Sequence, residues 1–170
     1  MNVNSNAYTY TFATVMVVVV AVLLSGASLG LKSKQAANVS QEKKQSILAS
    51  IGIEKDRSES DAAFDQFVKK SLTLQGGEII SEDASAAFDI DMAAAIKAGN
   101  MDRQVPLYVA EKDGETFYIV PMRGKGLWGP VWGYLALESD GNTVVGATFD
   151  HKSETPGLGA EITTPMFTEQ

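Results

Sequence analysis

The chain of 170 residues has no cysteine, one histidine, and no charged side chain in its first 31 positions. Without a thiol there are no disulfides, cysteinyl iron–sulfur clusters, thiolate zinc sites or cysteine nucleophiles. The lipoprotein reading of Leu23-Leu24-Ser25-Gly26-Ala27-Ser28 falls for the same reason. Lack of cysteine does not assign a compartment. His151 has neither a cysteine nor a second histidine to share a metal or activate a nucleophile, so a solvated or hydrogen-bonded structural histidine is the better reading. No segment supports a hydrolase, and no metal site is expected. All 14 basic and 21 acidic side chains lie beyond Leu31, and the formal net charge is −7. No basic stripe interleaves with aromatics, which argues against a nucleic-acid partner. Repeats and low-complexity linkers are also missing. Residues 32–170 have room for one hydrophobic core.

What the amino terminus does have is a long apolar run, from Thr11 to Leu31, centred on Val15–Leu24. As a helix of about 1.5 Å rise per residue it would extend about 31 Å, against a hydrocarbon core of about 30 Å. The run predicts a transmembrane helix over 11–31 behind a short tail, residues 1–10. Tyr8 and Tyr10 stand at one edge, and Lys32 and Lys34 at the other, as interfacial anchors. A cleaved signal peptide is the alternative, with Ser25 and Ala27 as small residues before a cut, although no Lys or Arg precedes the run. Lys32, Lys34, Lys43 and Lys44 follow it, so charge alone would leave the globular part in the cytoplasm.

Residues 32–58 predict a helical stalk, with Gly52 its first glycine, and 59–170 a single domain. Ser60 precedes Ala62, Ala63, Phe64, Phe67, Val68 and Leu72, spaced as an amphipathic helix that stops before Gly76-Gly77. Residues 83–98 are ambiguous between helix and a short strand, on which Asp89 and Asp91 would share a face. Strands then dominate. Val105–Glu111 and Glu115–Met122 flank Asp113-Gly114, a strong hairpin signal, and Val131–Leu137 and Thr143–Phe149 flank a second turn. Helices followed by antiparallel strands predict an α+β fold.

Two segments carry candidate chemistry. Gly124-Lys125-Gly126-Leu127-Trp128-Gly129 matches G-x-G-x-x-G, but Pro130 and a strand follow where a dinucleotide site needs a helix. Its alternative use is around Trp128, where flanking glycines let backbone approach a flat ring and indole can stack on an aromatic cofactor. A place in the core is the competing reading for Trp128 and Trp132. Ser153-Glu154-Thr155-Pro156-Gly157-Leu158-Gly159 specifies a type II turn that could aim N–H groups at an anionic or carbonyl-rich ligand, or be a turn only.

Three stretches, in this order, resemble the C subunits of the sodium-translocating NADH:quinone reductases. They are the anchor exit Leu31–Asn38 continuing into Gln45–Ile53, the segment Gly124–Leu137, and the segment Thr148–Ile162. The resemblance implies an FMN-binding α+β domain on a single-pass helix in the bacterial inner membrane, facing the periplasm against the lysine bias. It implies electron relay among the other subunits of the complex, with no complete active site on this chain. Trp128 would lie against the isoalloxazine, and Thr155, Gly157, Leu158 and Gly159 would form the loop touching it. The family's FMN is esterified to a threonine in a Ser/Thr-Gly-Ala-Thr motif placed after the Glu-Thr-Pro-Gly-Leu-Gly loop. Gly146-Ala147-Thr148 precedes that loop and reads as a decoy, so the attachment threonine is expected beyond Gln170, and the chain reads as the amino-terminal part of a longer polypeptide. The G subunit of the related ferredoxin-linked ion-pumping complex shares the loop and is the nearest alternative. A pilin-like scaffold is the alternative from another class, although the apolar run lacks the acidic residue that pilin assembly commonly uses.

Overall fold

A computed structural model describes Val3 and residues 5–168. The apolar run lies in one helix, α1 (Asn6–Ala49), long and apolar enough by length and composition to cross a membrane. It starts inside the expected tail and passes the expected boundary at Leu31 unbroken. Gly26 and Gly30 lie within it, each costing only about 1 kcal/mol relative to alanine. Contacts divide the chain into Met1–Ser40 and Gln41–Gln170. Residues 41–58, expected in the stalk, therefore fold with the sheet.

The helix ends at Ala49 because Gly52 takes a left-handed φ of +70°. The Ile53 N–H then donates to Leu48 O and the Gly52 N–H to Ala49 O, satisfying carbonyls the helix would leave bare. Leu48 and Ile53 are both buried, the apolar contact that usually accompanies this stop. Ile47, Leu48, Ile51 and Ile53 thus enter the core beside Phe64.

After a short 3₁₀ turn at Arg57–Glu59 comes α2 (Ser60–Phe67), which buries Ala63 and Phe64. The expected helix through Leu72 is corrected here: Val68–Gln75 is strand β1, hydrogen-bonded on both sides. Its ladders outweigh a helical spacing that extends by coincidence past Phe67. Gly76 and Gly77, at φ +60° and +90°, form the tight turn to β2 (Glu78–Ser81). Two successive left-handed residues are what a short hairpin demands.

Residues 83–98 resolve into α3 (Ala84–Phe88) and α4 (Met92–Ala95). Asp89 and Asp91 do not share a strand face. Asp91 caps α4 by accepting from the Ala93 N–H, and Asp89 closes α3. Local carboxylate-to-backbone bonds of this kind compete directly with strand formation. Asp83 Oδ1 accepts from Ser85 N at 2.9 Å and Ala86 N at 3.1 Å, fixing the helix that brings Ala87 and Phe88 to the core. Replacing Asp83 with alanine should cost about 1 kcal/mol in denaturant unfolding, and asparagine should recover most of it.

β3 (Gln104–Lys112), β4 (Glu115–Lys125), β5 (Pro130–Leu137) and β6 (Val144–His151) complete a six-stranded antiparallel sheet of order β2-β1-β3-β4-β5-β6. Asp113 at φ +54° and Gly114 at +84° make the expected β3–β4 turn. The register puts Tyr108, Ile119 and Ala136 in one row, all fully buried. Phe64 meets Tyr108 edge-on at 6.2 Å between ring centroids, and Tyr108 meets Tyr134 at 6.4 Å. The chain closes with a 3₁₀ helix at Gly159–Thr163 and α5 (Pro165–Thr168), whose Phe167 ring meets Phe149. This is the α+β class expected from the sequence, with helices on an antiparallel sheet.

Candidate functional site

Both candidate loops lie at the same end of the β4–β5–β6 meander. Gly126–Gly129 joins β4 to β5, and the segment after His151 leaves β6, paired to β5 through Val131↔His151. No helix follows the G-x-G-x-x-G match; Pro130 opens β5 instead. The Gly126 N–H donates to Gly129 O at 2.7 Å, making the loop a tight hairpin turn.

The side chain that ties the loops together is Glu154, which sequence reasoning passed over. It is only 8% exposed. Its Oε1 accepts from Trp128 N at 2.9 Å and Gly129 N at 3.2 Å. A Cβ on Gly126 would collide with Oε1, and one on Gly159 would come within 2.9 Å of Oε2. Glycine at 126 is therefore a requirement, since a Cβ there would also meet Gly129 O at 2.8 Å, whereas at 159 the Glu154 side chain would have to give. Ser153 Oγ adds a donor to Trp128 O at 2.9 Å. His151 Nδ1 accepts from Glu154 N at 3.2 Å, so the lone histidine positions the clamp. The only earlier hint was the Glu in Glu-Thr-Pro-Gly, because its partners lie far back in the chain.

Trp128 is 67% exposed, which rules out the core alternative for it. Trp132 is half-buried, with the Arg123 guanidinium 5.8 Å from its ring centroid. Leu127 and Leu158 are exposed as well, so each loop presents apolar surface to solvent. Thr155 and Gly157 are exposed and Gly159 half-buried. Gly157 has φ +74° and the Leu158 N–H donates to Thr155 O at 3.1 Å, as the Pro-Gly turn requires. Of the two readings of this loop, an outward array of N–H groups or a turn only, the Gly157 and Leu158 N–H groups favour the turn. The Gly157 N–H is taken by Glu161 Oε1 at 2.9 Å, and the Leu158 N–H lies within the turn. A phosphate cradle is not formed by those two groups.

Thr148 of Gly146-Ala147-Thr148 lies within β6, where its Oγ1 donates to Ser46 O at 3.1 Å. Its hydroxyl docks the end of α1 onto the sheet. Among the described residues, no three His, Cys, Asp or Glu side chains are grouped to hold a metal ion. The two loops suit a flat, uncharged ring. They offer exposed indole and leucine surface and side-chain-free glycines, and the carboxylate between them is satisfied by backbone donors.

Comparison with known proteins agrees with this chemistry. The FMN-binding domain family matches residues 126–169, which include both loops. The C subunit of the Na(+)-translocating NADH-quinone reductase of Pseudomonas aeruginosa is 34% identical over 165 residues, covering 86% of this chain and 63% of that protein. That of Vibrio alginolyticus is 30% identical over 164 residues, covering 88% of this chain and 64% of that protein. The chain thus spans slightly less than two thirds of the length of these relatives. The crystal structure of the corresponding protein from Parabacteroides distasonis superposes with a TM-score of 0.74 at 40% identity, covering 82% of this chain and 67% of that one. Fold and sequence agree along most of the chain, and it belongs to the family of C subunits of the Na(+)-translocating NADH-quinone reductases.

Proposed function

We propose that this chain is a membrane-anchored, flavin-carrying electron-relay subunit of a sodium-translocating NADH:quinone reductase. The observation that carries the reading is the pair of loops clamped by Glu154, which leaves Trp128 and Leu158 exposed at one end of the meander. Trp128 would lie against the isoalloxazine, and Thr155, Gly157, Leu158 and Gly159 would border it. When bound, FMN supplies reversible electron transfer, while the protein places the ring and adjusts its surroundings. Glu154 and His151 hold the two loops at a fixed separation, so the site is ordered before the cofactor arrives.

NADH oxidation, quinone reduction and sodium export belong to the assembled complex, whose other subunits are the partners of this one. The membrane helix over residues 11–31 anchors the chain in the inner membrane, with the domain on the periplasmic side. Residues 1–10 precede the anchor, and residues 32–40 lead from it to the FMN-binding domain, whose core takes in Ile47, Leu48, Ile51 and Ile53. The FMN phosphate is esterified to a threonine hydroxyl. Such a bond relieves the pocket of a need for high affinity, since nanomolar retention of free cofactor takes about 12 kcal/mol.

The test is to isolate the full-length protein with its complex from host membranes, denature it, and separate the polypeptides. Flavin fluorescence should travel with this polypeptide, at one FMN per chain. A colourless, non-fluorescent polypeptide would sink the proposal.

A further inference from the structure

Beside Trp128 lies an open groove of about 560 Å³. Ala93, Ile96, Leu127, Trp128 and Pro130 supply its apolar lining, and Lys97, Arg123 and Lys125 its charges. No Asp or Glu lines it, although the chain carries a net charge of −7. The ion pairs among the described residues engage Lys44, Lys55 and Lys70, so all three groove cations are without a carboxylate partner. Glu154, which touches the same loop, is occupied by the Trp128 and Gly129 N–H groups. Register places Arg123 and Lys125 on the same face of β4, and Arg123 is held over Trp132. Lys97 comes from the segment just after α4, so distant parts of the chain converge on one positive groove. Arg123 and Lys97 lie outside the stretch that matches the FMN-binding family, as does Lys125.

We infer that Lys97, Arg123 and Lys125 form an anion subsite that takes the phosphate of the flavin mononucleotide whose ring rests on Trp128. The inference depends on the proposed flavin site and extends it. An apolar floor with a cationic margin suits a ligand that is flat and apolar at one end and anionic at the other. At the Pro156-Gly157 turn the Gly157 and Leu158 N–H groups are already engaged, whereas the groove cations are unpaired among the described residues. Free or esterified, the phosphate keeps at least one negative charge for these side chains to neutralise.

The experiment compares FMN with riboflavin, which lacks only the phosphate, by fluorescence anisotropy on the flavin-free 170-residue chain in detergent. FMN should bind about tenfold more tightly at low salt, the scale of a charge-assisted contact. The ratio should fall as ionic strength shortens the screening length below about 10 Å. The triple variant K97Q/R123Q/K125Q should bring the ratio to about one while riboflavin affinity stays unchanged, which also reports an intact ring site. Because Arg123 is half-buried, Lys97→Gln and Lys125→Gln are measured singly as well, each lowering the ratio. Lys97→Arg with Lys125→Arg should preserve it. Equal affinity for FMN and riboflavin overturns the anion subsite and leaves the ring site standing, as does a ratio untouched by the glutamine variants. Failure of both flavins to bind overturns the anion subsite, while the ring site is judged by the flavin carried on the isolated polypeptide.

Discussion

Replacing Tyr108 with alanine should destabilise the domain by about 3–5 kcal/mol, whereas phenylalanine at the same position should be neutral or slightly stabilising. The residue is fully buried in the middle of the sheet, between Phe64 and Tyr134. Alanine removes the ring that these two meet and leaves a cavity among side chains fixed by β-sheet register. The hydroxyl is a separate matter, because no group among the described residues is hydrogen-bonded to it. Burial therefore pushes the Tyr108 phenol far above its ordinary pKa, and it stays protonated throughout the accessible pH range. Deleting an unpaired buried hydroxyl removes a desolvation cost of about 1–3 kcal/mol, against which the loss of contact is small. Urea unfolding of the two variants, followed by near-ultraviolet circular dichroism, separates ring from hydroxyl. A phenylalanine variant weaker by more than about 1 kcal/mol would show that the oxygen has a hydrogen-bonding partner after all.

The second large effect is expected at Glu154. Glu154→Ala should cost about 2–4 kcal/mol, because two N–H groups lose a charged acceptor and sit beside the space it filled. Its consequence for function should exceed that for stability. Trp128 and Gly129 belong to the loop that presents the indole, and without the carboxylate the Ser153 hydroxyl bond to Trp128 O is the side-chain tie left between that loop and the segment after β6 among the described residues. Hydrogen exchange should report the change directly, with the Trp128 and Gly129 amides exchanging at least about tenfold faster. Glu154→Gln is the informative companion. Its amide oxygen can accept the same two bonds, so protection should largely persist at a cost of about 1 kcal/mol. If alanine and glutamine variants exchange alike at these amides, the carboxyl oxygen is not what holds the loop.

What could be read ahead of the structure was local. The apolar run is continuous in sequence, and Asp113-Gly114 states its own turn, so α1 and the β3–β4 hairpin were both legible. The class followed from the order of such segments. β1 was hidden because Phe64, Phe67, Val68 and Leu72 fit a helical spacing, and Gly76-Gly77 reads equally as a helix stop or a hairpin turn. Only pairing with β2 and β3 decides between them, and that is non-local. The site divides in the same way. Trp128 and the Thr155–Gly159 loop were legible as candidates from their glycines and from family resemblance. Glu154 was invisible as a clamp because the two amides it accepts from belong to another loop, and nothing in its neighbours marks it as buried. Lys97 joins Arg123 and Lys125 only once α4 has been placed.

The meander that carries both loops has a kinetic consequence. β4, β5 and β6 are consecutive, joined by short turns, and each pairs with the next in the chain. Closing such connections costs little chain entropy, so their ladders can form early, ahead of the pairing of β1 with β3 across the two intervening short helices. A nascent polypeptide would then display the aromatic platform and its glutamate latch while the rest of the core is still assembling.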